Sequence, residues 1–275
     1  MKITLGHTPD ADDAFMFYGI STGKIKSHNF DINHVVEDIE ALNNRALVHQ
    51  LHITAISAHA YAHVEDYVVL KAGSSFGVNY GPIVLGAKEL SKQNINELTI
   101  GVPGKMTSAY LLLRLALGHF KEKILPFNDI PGAILSREID AGLIIHEEQI
   151  AYDKSKFHKI FDLGNWWSEK TNNLPLPLGI NVASKKLLSM DHIIEFDQLF
   201  KRSIIYGLEN FDDAIDYAMQ YARGKSRDLI SRFVKMYVNT YTIDMGLSGE
   251  EAIKHLLLLG EEKNYFDHVS INFCK

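Results

Sequence analysis

Cysteine is almost absent from this chain of 275 residues. The single example, Cys274, stands beside the last residue. A lone thiol excludes an internal disulfide and a cysteine-rich metal site, and it favours a reducing compartment. Its position reads as an incidental thiol on a frayed tail. A basic run is also missing, and the net charge is -6, which argues against nucleic acid as a partner. No apolar stretch approaches the roughly 20 residues that cross a bilayer, so no membrane partner is expected. The first residues, Met-Lys-Ile-Thr-Leu, lack the charged region and apolar run of a secretion signal, and the expected location is the cytoplasm. Several motifs are absent as well. Neither G-x-x-x-x-G-K-[ST] nor G-x-G-x-x-G nor G-x-S-x-G occurs, which removes the main support for nucleotide-phosphate and serine-hydrolase chemistry. His146-Glu147 does not extend to H-E-x-x-H, because Ile150 holds the last place, so a zinc protease is excluded.

What remains is an ordinary globular composition, 46% hydrophobic and 23% charged, enough for one large or two small domains. Strand-like and helix-like segments alternate through the first two thirds. Strands are expected at 3–5, 30–36, 53–56, 67–71, 82–87, 98–102, around 143, around 160 and at 178–183. Helices fall between them, at 12–20, 39–48, up to 62, from 108 and near 130. Such alternation predicts parallel sheets covered by helices. The last third is helical, at 193–208, 211–222, 226–238 and 248–259, with Gly224, Gly246 and Gly260 as punctuation. The expected architecture is α/β and two-lobed. The first lobe holds residues 1–87 plus 186–275, and the second holds 88–185. The chain would cross at Gly86-Ala87-Lys88 and Ala183-Ser184-Lys185. A cleft between lobes is a usual place for a ligand.

Four strand ends carry the chemistry. In Asp140-Ala-Gly-Leu-Ile-Ile-His-Glu-Glu-Gln149 an apolar run stops at His146. Ligands of open α/β sheets lie just outside such strand ends, and an imidazole, with an ordinary pKa of about 6.5, suits general base work. Taken alone, a strand-end histidine more often bonds backbone. Gly6-His-Thr-Pro-Asp-Ala-Asp-Asp13 joins the first strand to a helix. Capping explains one aspartate there but not Asp10, Asp12 and Asp13 together. Ser57 ends the third strand. Val102-Pro-Gly-Lys-Met-Thr-Ser-Ala-Tyr110 opens a helix capped by Thr107 or Ser108, with Gly104 allowing a tight path; hydroxyls and free N–H groups at such a start bind anions. The four ends together describe a cleft for a polar, anionic small molecule. His59 and His63, four apart on a short helix, lack an evident third ligand, so no metal site is assigned. Trp166 and Trp167 read as packing residues, and the run Leu174-Pro-Leu-Pro-Leu-Gly179 as an extended lead into a strand.

These segments, with Glu37-Asp-Ile-Glu-Ala-Leu-Asn43 and Thr54-Ala-Ile-Ser-Ala-His-Ala-Tyr61, resemble the 1,4-dihydroxy-6-naphthoate synthases of the futalosine route to menaquinone. The resemblance covers nearly the whole chain in the same order. It implies a fold like the type II periplasmic binding proteins with a helical C-terminal segment. It also implies a lyase that turns cyclic dehypoxanthinyl futalosine into 1,4-dihydroxy-6-naphthoate and dihydroxyacetone, with no metal or organic cofactor. The family's base falls on His146. Its substrate-binding segments fall on Ala55, Ile56 and Ser57 and on Ser108 and Ala109, with further polar contacts at Asp12 and Asp13. Two departures stand out. Many members carry Ser-Pro-Cys-Pro-Asn-Asp-Thr-Phe in the first turn, so Asp12 stands where they have asparagine. A lysine is common at the position of Ala55, which implies backbone contact there. The alternatives are chorismate dehydratase, a sister enzyme of similar fold, and a non-catalytic solute-binding protein. The sequence leaves the oligomeric state open.

Overall fold

A computed structural model describes residues 1–88 and 97–275. Two sheets organise it. The first has the order β2-β1-β3-β11-β4, with β5 also on β11. Its strands are β1 (Lys2–His7), β2 (Asp31–Val36), β3 (Ile53–Ser57), β4 (Tyr67–Val69), β5 (Ser75–Gly77) and β11 (Leu176–Ser184). The second has the order β10-β6-β9-β7-β8. Its strands are β6 (Ile83–Gly86), β7 (Thr99–Val102), β8 (Lys121–Ile124), β9 (Ala141–Ile144) and β10 (His158–Asp162).

Three features differ from the sequence expectation. The sheets are mixed: β1 runs parallel to β2 and β3, but β11 is antiparallel to β3, β4 and β5. Likewise β6 is antiparallel to β9 and β10. A strand buried on both faces has the same apolar pattern in either direction, so the pattern could not separate the two. The lobe boundaries also move. β6 belongs to the second sheet and β11 to the first, so the chain crosses between Gly77 and Ile83 and again between Thr171 and Leu176, not at 87–88 and 185–186. Finally, the C-terminal tail is not frayed. Val69 donates its N–H to Asn272 and accepts from Cys274, both at 2.8 Å. Cys274 is buried, and burial pushes its thiol up to about 11.

Helix α1 (Ala11–Ser21) sets up the site. Its residues 11–19 are all buried, as expected for a helix apolar on every side. It lies between the first sheet and the C-terminal helices α7 (Met190–Glu209), α8 (Phe211–Ala218) and α9 (Arg227–Tyr237). Phe17 stacks on Phe200 at 4.3 Å between ring centroids, and Ser203 donates to the Met16 carbonyl at 2.8 Å. The aspartates at its start are therefore carried into the interior by the helix that follows them. One apolar cluster continues from Ile56 and Val182 of the first sheet through Leu176 and Trp167 to Val84 and Leu143 of the second. Trp167 is fully buried and donates its indole N–H to Leu174. Among the described residues, no helix is long and apolar enough to cross a membrane.

Candidate active site

The four strand ends converge. One cavity of about 110 Å³ is lined by Asp12, Asp13, Ala55, Ile56, Ser57, Ser108, Ala109 and His146, together with Thr8, Asp10, Gln149 and Tyr237. Every site residue expected from the sequence thus faces one cleft between the lobes.

His146 follows β9 with a backbone φ of 58°. Left-handed backbone at a non-glycine residue is costly, and such strain collects at functional sites. Its ring packs on Phe127 at 4.6 Å between centroids, and its Nδ1 lies 3.4 Å from Asp10 Oδ2. The other Asp10 oxygen forms an ion pair with Arg223 Nη2 at 2.9 Å. Arg223 also lies over the Phe127 ring at 5.0 Å, and it too has a left-handed φ, 48°. Asp10 and Phe127 hold the imidazole directly, and Arg223 braces both of them from behind, with His146 Nδ1 turned towards Asp10. Asp10 occupies the cap position of α1 but makes no side-chain cap bond. Its carboxylate is directed to His146 and Arg223 instead.

Asp12 and Asp13 divide their roles. Asp13 Oδ2 accepts from Thr8 N at 2.6 Å and from Thr8 Oγ1 at 2.8 Å. Burial raises both carboxyls, and Asp13 reaches about 6 even with the Thr8 bonds opposing. For Asp12 the Asp13 and Asp10 charges add to burial. Asp13 has donors that favour its ionised form, so the proton belongs on Asp12. The folded state holds these protons more tightly than the unfolded chain. Their contribution to stability is therefore full below about pH 4 and falls as pH rises through about 6. Asp12→Asn is expected to raise the melting temperature at pH 8, by about 2–4 °C per kcal/mol relieved, with the gain shrinking towards pH 4. Thermal unfolding at both pH values checks this, and an equal gain at both would refute it.

The opposite wall is the start of α3 (Ser108–Leu117). Thr107 caps it, accepting from Tyr110 N at 3.2 Å, and Leu111 N goes to the Thr107 carbonyl. The first-turn N–H groups of Ser108 and Ala109 have no acceptor within the helix. The Ser108 hydroxyl is differently used from what its position suggests: it donates to the Leu178 carbonyl at 2.5 Å and accepts from His59 N at 3.3 Å. Ser57 is the freer hydroxyl. It accepts from Asn43 Nδ2 at 3.3 Å, which leaves its proton to donate. Gly104 has no special φ, and a Cβ there would stand 2.5 Å from the Glu40 carboxyl, the movable end of a side chain.

The lobes also meet beyond His146. Glu148 pairs with Lys225 at 2.6 Å, and Gln149 donates to the Tyr237 hydroxyl at 2.9 Å. Arg223, Lys225 and Tyr237 come from the C-terminal helical segment, and no sequence motif marked them. His59 and His63 do face each other, Nε2 to Nε2 at 3.4 Å. No third histidine, cysteine or carboxylate completes a metal site among the described residues.

A family profile described as menaquinone biosynthesis matches residues 3–262. A 1,4-dihydroxy-6-naphthoate synthase of Thermus thermophilus is 36% identical over 95% of this chain and 94% of its own length. The crystal structure of a protein from Archaeoglobus fulgidus is 45% identical, with a TM-score of 0.92, over 96% of this chain and 98% of that one. A Candida albicans protein with the generic periplasmic-binding-protein fold is 14% identical with a TM-score of 0.66, over 99% of this chain and 97% of that one. That likeness shows the fold alone, and the fold is the one that the sequence resemblance implied.

Proposed function

This chain belongs to the menaquinone-biosynthesis family, and from that premise we propose that it is a 1,4-dihydroxy-6-naphthoate synthase. Its substrate is cyclic dehypoxanthinyl futalosine, and its products are 1,4-dihydroxy-6-naphthoate and dihydroxyacetone. The observation that carries this reading is the imidazole held between Asp10 and Phe127 at the cleft, both braced by Arg223. A solute-binding protein has no use for a strained, carboxylate-oriented base.

His146 Nε2 takes a proton from the sugar-derived part of the substrate. Collapse of the resulting charge breaks a carbon–carbon bond and expels the three-carbon unit. The electrons left behind complete the aromatic ring, which drives the step forward. Asp10 holds the ring and offsets the imidazolium charge. The Ser108 and Ala109 N–H groups and the Ser57 hydroxyl bind the carboxylate and hydroxyls. Residues 55 and 56 offer backbone contact. Asp12, holding its proton, offers a hydrogen-bond donor where a carboxylate would repel an anionic ligand. The cavity of about 110 Å³ is smaller than the ~300–1,000 Å³ of ordinary ligand pockets. The lobes therefore part to admit substrate, and the contacts at 146–149 re-form on closure, excluding water. The single thiol and the resemblance support a cytoplasmic enzyme that needs no cofactor.

The test is the purified protein given cyclic dehypoxanthinyl futalosine and chorismate in separate assays. Formation of 1,4-dihydroxy-6-naphthoate from the first alone supports the reading. Consumption of chorismate makes it the sister dehydratase, and tight binding without turnover makes it a solute-binding protein. Ser57→Ala is expected to raise KM several-fold with kcat nearly unchanged, the effect of losing one neutral hydrogen bond of about 0.5–1.5 kcal/mol. A collapse of kcat with unchanged KM would instead place Ser57 in the chemistry.

A further inference from the structure

A second cavity, of about 220 Å³, shares no lining residue with the cleft. It lies between the lobes: His59 and His63 come from the 3-10 turn after β3, while Lys105, Tyr110 and Arg114 belong to the loop and helix after β7. Tyr265 of the C-terminal segment closes it.

We propose that this cavity binds a phosphate-type oxyanion, held by Arg114 and Lys105 with the His59–His63 pair. Arg114 is the anchor. Its guanidinium lies over the Tyr265 ring at 4.9 Å, and Nη1 donates to the Tyr110 hydroxyl at 3.2 Å. Its Nε is buried with no partner. No carboxylate lies within ion-pair distance of Arg114 among the described residues. That Nε is closed off from the cavity, so the guanidinium would meet a ligand through its Nη groups, and a guanidinium without a carboxylate partner is where an anion gains most. The one nearby carboxylate, Glu122, is already engaged by Lys105 and by the Tyr110 hydroxyl. Lys105 is half-exposed and shares its charge with Glu122, so Arg114 supplies the surplus positive charge, and Lys105 reaches an anion from the rim.

The histidines add donors from the other lobe. Burial and the neighbouring His63 hold the His59 imidazole down to about 4, so it stands neutral, with Nε2 turned to His63, and His63 is the ring placed to meet an anion. The 3.4 Å separation of the two Nε2 atoms would also suit a tetrahedral metal, whose bonds of about 2.0–2.1 Å span a similar gap. Arg114 and Lys105 oppose a cation, however, and favour an anion. Donors that come from a guanidinium, an ammonium and the His63 imidazole on different sides suit an anion with several oxygens better than a flat carboxylate. Ser108 and Ala109 of the cleft sit about one and a half turns before Arg114 on the same helix, so an anion here braces α3 against the first lobe.

The test is titration of the full chain with inorganic phosphate at constant pH and ionic strength, read by the Arg114 Nε–H and His63 ring resonances. A saturable shift is expected, with at least tenfold weaker binding in Arg114→Gln and several-fold weaker binding in His63→Gln. His63 is exposed, so its variant keeps a folded control if Arg114→Gln is unstable. Ser57→Ala, in the other cavity, should leave the phosphate affinity unchanged. Glycerol 3-phosphate binding more tightly than phosphate would point to a phosphate ester as occupant, and weaker binding to free phosphate; both support the site. A non-saturable response, unchanged affinity in both site variants, or a response to zinc but not phosphate would overturn it.

Discussion

Replacing His146 by asparagine should lower turnover of cyclic dehypoxanthinyl futalosine by roughly 10²–10⁴-fold, the usual loss when a general base is removed. Asparagine is the better variant than alanine for a physical reason. The backbone here has φ 58°, a region that asparagine enters more readily than other L residues. His146→Asn therefore removes the base while sparing the loop additional strain. Either variant vacates the ring contact with Phe127, but the asparagine amide keeps a polar group towards Asp10, which alanine would leave facing Arg223 alone. Both variants should melt close to wild type, since His146 lies on the cleft and outside the main apolar clusters. A folded His146→Asn enzyme with near-wild-type turnover would remove His146 from the mechanism.

This histidine is legible in the sequence because both halves of the signal are local. The apolar run Leu143-Ile144-Ile145 marks a strand, and its abrupt end marks a position facing ligand. Ser57 and the start of α3 were legible for the same reason. Asp10 is legible only as one of three aspartates in a polar turn; its pairing with His146 is not, because a carboxylate before a helix reads as a cap, and only the absence of a cap bond shows that it is used elsewhere. Arg223 had no signal at all. It reaches Asp10 through the packing of the C-terminal helices on α1, a contact between distant parts of the chain. The missed elements follow similar logic. β8 reads Lys-Glu-Lys-Ile, the charged pattern of a sheet edge rather than a core strand. β5 is three residues long, too short for any period. The lobe crossings were displaced because β6 and β11 each join the sheet of the other lobe's side, and an apolar run does not record which sheet it enters. Cys274 looked incidental because edge pairing by main-chain bonds leaves no mark in side-chain pattern.

Asp10→Asn should give the second large effect, a fall in kcat of about 10²-fold with KM little changed. Misplacing a reacting group by about 1 Å costs on this order, and Asp10 is the group that fixes the imidazole. In the wild type, Asp10 Oδ2 faces His146 Nδ1 at 3.4 Å while Oδ1 faces Arg223 at 2.9 Å. The first contact is long for a hydrogen bond, as catalytic contacts often are before substrate closes the site. An amide in place of the carboxylate keeps the shape but loses the charge that steadies the imidazolium, and it leaves Arg223 facing a neutral group. Asp10 makes no cap bond to α1, so the helix loses nothing directly. A general loss of structure would lower activity too, and the double variant separates the two causes. If Asp10 acts only through His146, then Asp10→Asn should slow the wild type strongly and should scarcely slow His146→Asn further, the non-additivity of residues that work as a unit. A double variant slower than His146→Asn by the full 10²-fold would show that Asp10 acts independently of the histidine, and the orienting role assigned to it would be wrong.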